Sequence, residues 1–158
     1  MHPDLDEIDF KILSVLMKDA QTPYTEVAKR VFVSSGTVHV RMKKLEKLGV
    51  ITGSQLNVNY AALGYDIKAF LGIYLEKSAL YDDVIHELKN IPEILNIDYT
   101  TGNYSMFVRI LCRDTQHLRE VLHDKIQKVN GIDRTETIIS LDENVSRGLE
   151  LWTDQKTS

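Results

Sequence analysis

The side chains best suited to binding chemistry lie between Lys29 and Lys47, a stretch that combines hydroxyl, imidazole and cationic groups. Six cations and one anion give it a net charge of +5, which leaves −9 for the other residues because the whole chain carries −4. A basic patch on an acidic body can bind phosphate locally without coating the protein in polyanion. The stretch therefore suits a DNA groove, although a solvated helix face would carry similar charges.

Two kinds of DNA contact are predicted from this stretch. Long cationic side chains bind phosphates and set a salt-dependent affinity, while shorter polar side chains near the start of a helix reach base edges or nearby phosphates in the major groove. The predicted DNA-binding residues are Lys29, Arg30, Ser34, Ser35, Gly36, Thr37, His39, Arg41, Lys44 and Lys47.

A helix over residues 33–49 must position these side chains. Ser34 or Ser35 can cap its first turn, and Gly49 suits the left-handed position that follows a last turn. One face of the predicted helix is apolar, with spacings of 4, 3 and 3 residues that match 3.6 residues per turn, and consists of Val38, Met42, Leu45 and Leu48.

Two shorter helices are predicted before it. Carboxylates around Asp6 cap an apolar stripe that ends near Asp19, and a second helix covers residues 24–30. The short break before Ser34 makes the second and third helices a helix-turn-helix. The β-branched residues and Gly-Ser signal over 50–59 predict a small hairpin or wing. We therefore expect the DNA-binding domain to cover 1–53, followed by a linker strand over 54–64.

The remaining residues, 65–158, predict a second domain. Alternating apolar residues indicate strands over 66–76, 94–101, 104–112 and 132–141, with Gly102-Asn103 as the turn between the second and third. Helical spacing predicts helices over 81–90 and from Asp114 to Gly131. This βαββαβ order is that of a ferredoxin-like domain with an antiparallel sheet and both helices on one face. The predicted fold class is α+β.

One face of that sheet is too apolar to remain in water. Among the residues that alternate away from the helices are Phe70, Tyr74, Phe107 and Ile138. Stacking of two sheets would cover them and form a homodimer. A dimer places two recognition helices about a two-fold axis, so the predicted operator is a pseudo-palindrome in double-stranded DNA.

Four long motifs occur in a fixed order between Leu5 and Leu141: L-D-E-I-D-F-K-I-L; Y-T-E-V-A-K-R-V with V-S-S-G-T-V-H-V-R-M-K-K-L-E-K-L-G-V-I; Y-T-T-G-N-Y-S; and T-E-T-I-I-S-L. Together they resemble the leucine-responsive and asparagine-responsive transcription regulators, the Lrp/AsnC or feast/famine family. The resemblance implies an N-terminal winged helix-turn-helix, a C-terminal ligand-binding domain, and dimers that often build octamers with amino acids bound between dimers.

Two positions depart from the pattern of that family. Ser35 stands where many members have proline after the serine cap, and Ser105 stands where many have aspartate. Serine at the second position resembles the asparagine-responsive branch. Asparagine is therefore the first candidate for a small amino-acid effector.

The effector site is predicted around Gly102, where the backbone can approach a ligand closely and amide groups near the turn can hold a carboxylate. Glu136 could meet an α-amino group. A plain turn glycine beside edge-strand threonines is the alternative interpretation of this segment. The predicted effector residues are Tyr99, Thr100, Thr101, Gly102, Asn103, Tyr104, Ser105, Thr135, Glu136 and Thr137.

Other classes of function find little support. The five histidines form no i,i+4 pair and Cys112 is the single cysteine, so neither a metal site nor a cofactor is expected, and no catalytic constellation stands out. No apolar run is long enough to span a membrane. We expect a cytoplasmic regulator, nucleoid-associated when bound to DNA, and not an enzyme. Two alternatives stay open: an effector-independent architectural DNA-binding protein, and an amino-acid-sensing ferredoxin-like domain whose winged helix binds protein.

Overall fold

The computed structural model describes residues 4–151, and the chain divides into two compact units. One unit contains the residues up to Asn57 together with those from Val145 onward, and the other is Val58–Asn144. The predicted end of the second domain, including Trp152, lies outside the described residues. None of the helices in the described part is long and apolar enough to cross a membrane.

The first unit is built from three helices. They are α1 (Glu7–Leu16), α2 (Tyr24–Val31) and α3 (Ser35–Lys47). Asp6 caps α1 in a capping box with Asp9, and Ser34 caps α3 by accepting a hydrogen bond from the Thr37 N–H. The apolar faces meet in a core in which four side chains are fully buried: Ile12, Val27, Val38 and Leu45. Both caps and the apolar face of α3 confirm the predicted helices.

The turn between α2 and α3 contains a backbone outlier. Phe32 has a left-handed conformation with φ of 59°, which is unusual for a bulky residue because its Cβ crowds the backbone, and its side chain is 94% exposed. The Val33 N–H bonds to the Ala28 carbonyl and closes the turn. The helix-turn-helix therefore depends on a strained residue at a position that glycine would occupy without strain.

The segment after α3 corrects two predictions. The N–H groups of Val50 and Ile51 bond back to the Leu45 carbonyl, and the chain then forms neither helix nor strand as far as residue 59, so the predicted hairpin is not formed. Ala61–Leu63 is a short 3-10 helix, which also breaks the linker strand predicted over 54–64. An extended segment becomes a strand only when a second strand completes its hydrogen-bond ladder, and within the described residues none does.

The second unit has the predicted βαββαβ order. Its elements are β1 (Ile67–Leu75), α4 (Tyr81–Leu88), β2 (Ile94–Tyr99), β3 (Met106–Cys112), α5 (Thr115–Glu120) and β4 (Ile132–Ile139). The four strands form an antiparallel sheet in the order β2-β3-β1-β4. Inward residues such as Leu71, Val84 and Ile110 form its core. Cys112 is part of that core, and burial raises the pKa of its thiol to about 11.

The helix predicted from Asp114 to Gly131 is shorter and less regular than its sequence pattern suggests. Asp114 caps α5, but the chain then passes through a π-helical turn, Val121–Lys125, and a short 3-10 helix. In the π-helical turn Lys125 reaches Glu93, whose nearly buried carboxylate also contacts the His117 ring at 3.1 Å. This ion pair attaches the irregular helix to the start of β2.

Candidate functional site

The start of α3 presents an exposed polar surface. The hydroxyl groups of Ser34 and Thr37 lie 2.9 Å apart and bond to each other, so they fix the first turn of the helix. Ser35 and Gly36 are exposed beside them. The first helical turn also has N–H groups that point away from the helix and favour an anion such as phosphate. The N-terminal end of α3 is therefore open to a polyanionic partner.

The outermost face of α3 differs in part from the predicted contact set. Four exposed residues at helical spacing lie opposite the buried Val38: Gly36, Val40, Lys43 and Lys47. Gly36 and Lys47 belong to the predicted contacts, whereas Val40 and Lys43 were not selected from the sequence. Their spacing of 4, 3 and 4 residues could have identified this face from the sequence, since it places all four residues across the helix from the apolar stripe.

Arg41 and Lys44 lie on a different side of α3 and contact α1. The Arg41 guanidinium bonds to the carboxylates of Asp6 and Asp9, with an Nη1 to Oδ1 distance of 3.1 Å for Asp9. The Lys44 ammonium lies 2.7 Å from Asp9 Oδ2. Their contact with DNA stays a prediction, but both charged ends already have intramolecular partners.

Asp9 is the buried centre of this ion-pair cluster. Its side chain is fully buried, and it also accepts a hydrogen bond from the Asp6 N–H. Burial alone would raise the pKa of Asp9, but hydrogen bonds from Lys44, the Asp6 N–H and Arg41 outweigh it and hold that pKa below its ordinary value. Because its charge ties α1 to α3, Asp9 positions the recognition helix, a role that its sequence context did not reveal.

Other predicted DNA contacts lie on or beside α2. The Lys29 side chain is largely exposed, 4.0 Å from the Glu26 carboxylate, while the Arg30 Nε bonds to the same carboxylate at 3.1 Å. The His39 ring packs edge-on against Tyr24, with ring centroids 4.7 Å apart. Lys29 is thus the more available of the two cations, and Tyr24 fixes the direction in which the His39 ring points.

The open face of the sheet in the second unit is aromatic, as predicted. Phe70 stacks on Phe107 with centroids 5.7 Å apart, and Ile138, 49% exposed, lies opposite Phe70 on the neighbouring strand. At the other end of this face, the Arg134 guanidinium lies 3.9 Å from the centroid of the Tyr74 ring. All four predicted residues therefore share one face, and it is only partly covered within a single chain.

Tyr104 connects the predicted effector hairpin to Glu136. Its ring lies across Gly72 in the middle strand, where any Cβ would overlap the ring atoms. Its hydroxyl donates to Glu136 Oε2 at 2.7 Å, which raises the pKa of Tyr104, and the Tyr74 hydroxyl donates to Oε1 at 3.3 Å. Gly72 therefore allows the side chain of Tyr104, two residues before β3, to cross β1 and reach β4, a relation that the sequence did not indicate.

The β2-β3 hairpin has the predicted turn. Gly102 has φ of 105° and is exposed. Asparagine also tolerates positive φ, which the residue types of the turn suggested for both positions, but Asn103 does not have it. The Thr100 hydroxyl donates to the Tyr104 carbonyl at 2.9 Å and closes the loop that contains Thr101. The exposed backbone from residue 101 to 103 is therefore held in a fixed, narrow turn.

The remaining predicted effector residues do not share one surface. Thr135 and Thr137 alternate with Glu136 and lie on the opposite, helix-bearing face, because successive residues of a strand point to opposite sides. Tyr99 packs against Tyr81 of α4. Ser105 extends the sheet, since its N–H bonds to the Ile73 carbonyl and its Oγ accepts from the Leu75 N–H. Thr135 and Thr137 therefore do not share the open face with Glu136, and their part in an effector site stays a prediction.

The described residues of the two units show no geometry of a metal centre. Among residues 4–151 no three or more His, Cys, Asp or Glu side chains lie together as a set of metal ligands. A helix-turn-helix with an exposed cationic helix, joined to a ferredoxin-like domain, is instead the architecture of a DNA-binding transcription regulator with a ligand-binding domain.

Comparison with known proteins identifies the family. Residues 5–52 match the family description "Winged helix-turn-helix DNA-binding", and residues 68–149 match "Lrp/AsnC ligand binding domain". The chain is 42% identical to the regulatory protein AsnC of Haemophilus influenzae over 95% of this chain and 99% of that protein. It is 40% identical to AsnC of Escherichia coli K12 over 92% and 96%. The chain belongs to the Lrp/AsnC family, and its relatives are transcription regulators rather than enzymes.

Solved structures agree with this assignment. The structure of E. coli AsnC matches with a TM-score of 0.88 and 39% identity, covering 93% of this chain and 99% of that one. A transcriptional regulator of Neisseria meningitidis in complex with L-Met has a TM-score of 0.87 at 21% identity, over 90% and 94% of the two chains. At that identity, the second match shows the common fold alone.

Proposed function

We propose that the outer face of α3 enters the major groove and that exposed cations beside it bind phosphates. The observation that carries this proposal is the alignment of Lys43 and Lys47 on the face opposite the helix core, where within the described residues neither has an ion-pair partner. Ser35 and His39 are the polar candidates for base contacts. Lys29 adds a phosphate contact from α2, while Arg41 and Lys44 hold α3 in place through Asp6 and Asp9.

Salt titration of DNA binding tests this assignment. The slope of log affinity against log salt is negative, and each lost phosphate contact reduces its magnitude by about 0.9. Lys43→Ala and Lys47→Ala should each lower it by about that amount, while Lys77→Ala in the other unit should not. Lys44→Ala distinguishes two roles of Lys44. A slope of smaller magnitude shows that Lys44 contacts a phosphate, and an unchanged slope shows that its role is the ion pair with Asp9. Unchanged slopes for Lys43 and Lys47 would refute the proposed face.

We propose further that a small amino acid is the effector of the second unit. The exposed amides around Gly102 suit a carboxylate, and Glu136 on the open face suits an α-amino group, with Tyr104 joining the two. Two tyrosine hydroxyls leave the Glu136 carboxylate with acceptor capacity for an ammonium group. A protein of the same fold has been solved with L-Met, and Ser105 makes asparagine the first candidate here.

A thermal-shift screen against the amino acids tests the effector, because a ligand that binds only the folded state raises its melting temperature. Calorimetry on Gly102→Trp should show binding lost, whereas Gly148→Trp, at an exposed glycine far along the sequence, should bind normally. Glu136→Gln keeps an acceptor for Tyr104 and removes only the charge. If it binds amino acids unchanged, Glu136 does not hold the α-amino group. No stabilisation by any amino acid would favour an effector-independent architectural protein.

We propose that a second copy of the chain covers the aromatic open face and that dimers assemble further, up to octamers. Ile138 points to that face, whereas the neighbouring Ile139 points to the opposite side, and the two are similarly exposed at 49% and 42%. Ile138→Glu should therefore lower the mass measured by light scattering, while Ile139→Glu should not. Equal behaviour of both variants would exclude this face. Such a dimer would act in the cytoplasm on a pseudo-palindromic operator.

A further inference from the structure

Val40 is an exposed apolar side chain in the middle of the cationic outer face of α3. Its side chain is 68% exposed, whereas Val38, two residues earlier on the same helix, is fully buried. Val40 is not part of the core cluster of the first unit. A β-branched residue on a helix surface also has lower helix propensity than alanine. Neither packing nor helix stability therefore accounts for a valine at this position.

Gly36 lies one turn before Val40 on the same face and is likewise unexplained by the fold. A Cβ at Gly36 would meet only the Ser34 hydroxyl, at an ordinary contact distance of 3.7 Å. Glycine within a helix lowers its stability relative to alanine. What Gly36 does provide is a helix surface without a side chain, so that another molecule can approach the backbone closely just before Val40.

We propose that Val40 reads the 5-methyl group of a thymine in the major groove, with Gly36 allowing the base edge to approach. The cations Lys43 and Lys47, which follow Val40 on the same face of α3, favour DNA as the occupant, and the thymine methyl is the apolar group that the major groove presents. This inference rests on the proposed entry of α3 into the groove. It adds a specificity contact made by an apolar side chain, whereas the cations supply affinity for any sequence.

The test uses the full chain and a duplex selected from a random library for tight binding. Replacing single thymines by deoxyuridine removes only the methyl group and keeps every hydrogen-bonding group. Each half-site should contain one thymine whose replacement lowers the affinity of the unchanged protein about fourfold, the value for one buried methyl group. Because a dimer carries two copies of Val40, Val40→Ala should lose about as much affinity for the thymine duplex as the unchanged protein loses when both half-sites are replaced, and it should not respond to the replacement.

Three further variants separate this contact from other effects. Val50→Ala, at an exposed valine beyond α3, should keep the full response to deoxyuridine. Lys43→Ala should weaken both duplexes equally and keep their ratio. Val40→Thr retains one γ-methyl group and should show an intermediate ratio, so the contact remains testable if Val40→Ala fails to fold in a circular dichroism melt.

Each outcome bears on the proposal. If no thymine replacement affects the unchanged protein, or if Val40→Ala responds like the unchanged protein, Val40 does not read a methyl group although the protein still binds its sequence. If no duplex is bound at low salt, the proposed DNA interface fails together with this inference. A response that disappears only in the Val40 variants supports the contact.

Discussion

Asp9→Asn should loosen the attachment of α3 to α1. Fully buried, the Asp9 carboxylate accepts from Arg41 at 3.1 Å, Lys44 at 2.7 Å and the Asp6 N–H at 3.1 Å. Hydrogen bonds to charged groups contribute about 1.5–3 kcal/mol each. Asparagine keeps one of the two side-chain oxygens and replaces the other by an NH2 group, which cannot accept from a cation, so at least one charged hydrogen bond to α3 is lost. We expect the free energy of unfolding of the first unit to fall by about 1.5–3 kcal/mol.

Urea denaturation followed by far-ultraviolet circular dichroism measures this change, with calorimetry to separate the transitions of the two units. Glu7→Gln is the matched control, because Glu7 is a 72% exposed carboxylate on the same helix, and its ion-pair partner among the described residues is Lys11. Exposed pairs contribute about 0–1 kcal/mol. If Asp9→Asn destabilises the protein no more than Glu7→Gln does, the ion-pair cluster does not hold the recognition helix.

Three other predictions follow from the structure. The native pKa values of Asp6 and Asp9 lie below the ordinary 3.8. Their contribution to the free energy of unfolding is therefore complete above that pH, and stability should fall as the pH drops below 3.8. Asp9→Asn should reduce this pH dependence in denaturation curves. Gly72→Ala should lower the melting temperature and displace Tyr104, detectable as a changed tyrosine spectrum. Phe32→Gly removes the strain of a left-handed residue and should raise the free energy of unfolding by about 0.5–1 kcal/mol.

Several features of the fold were predictable because they depend on neighbours in the sequence. Ser34 and Asp114 cap helices through N–H groups three residues away, and Gly102 occupies a turn that needs positive φ. Apolar periodicity likewise marked the core face of α3 and the order of the strands. The hairpin over 50–59 was predicted wrongly because a strand requires a partner, and local composition cannot supply one.

The sequence by itself thus determined the two kinds of domain, the position of the recognition helix and its excess of positive charge. Only the tertiary structure decided which cations remain available, because Asp9 is 32 residues from Arg41 and 35 from Lys44 along the chain. It also decided that Tyr104, two residues before β3, crosses Gly72 of β1 to reach Glu136 of β4. Charge and periodicity are local properties of a sequence, whereas the partner of each charged or polar group depends on how distant segments pack.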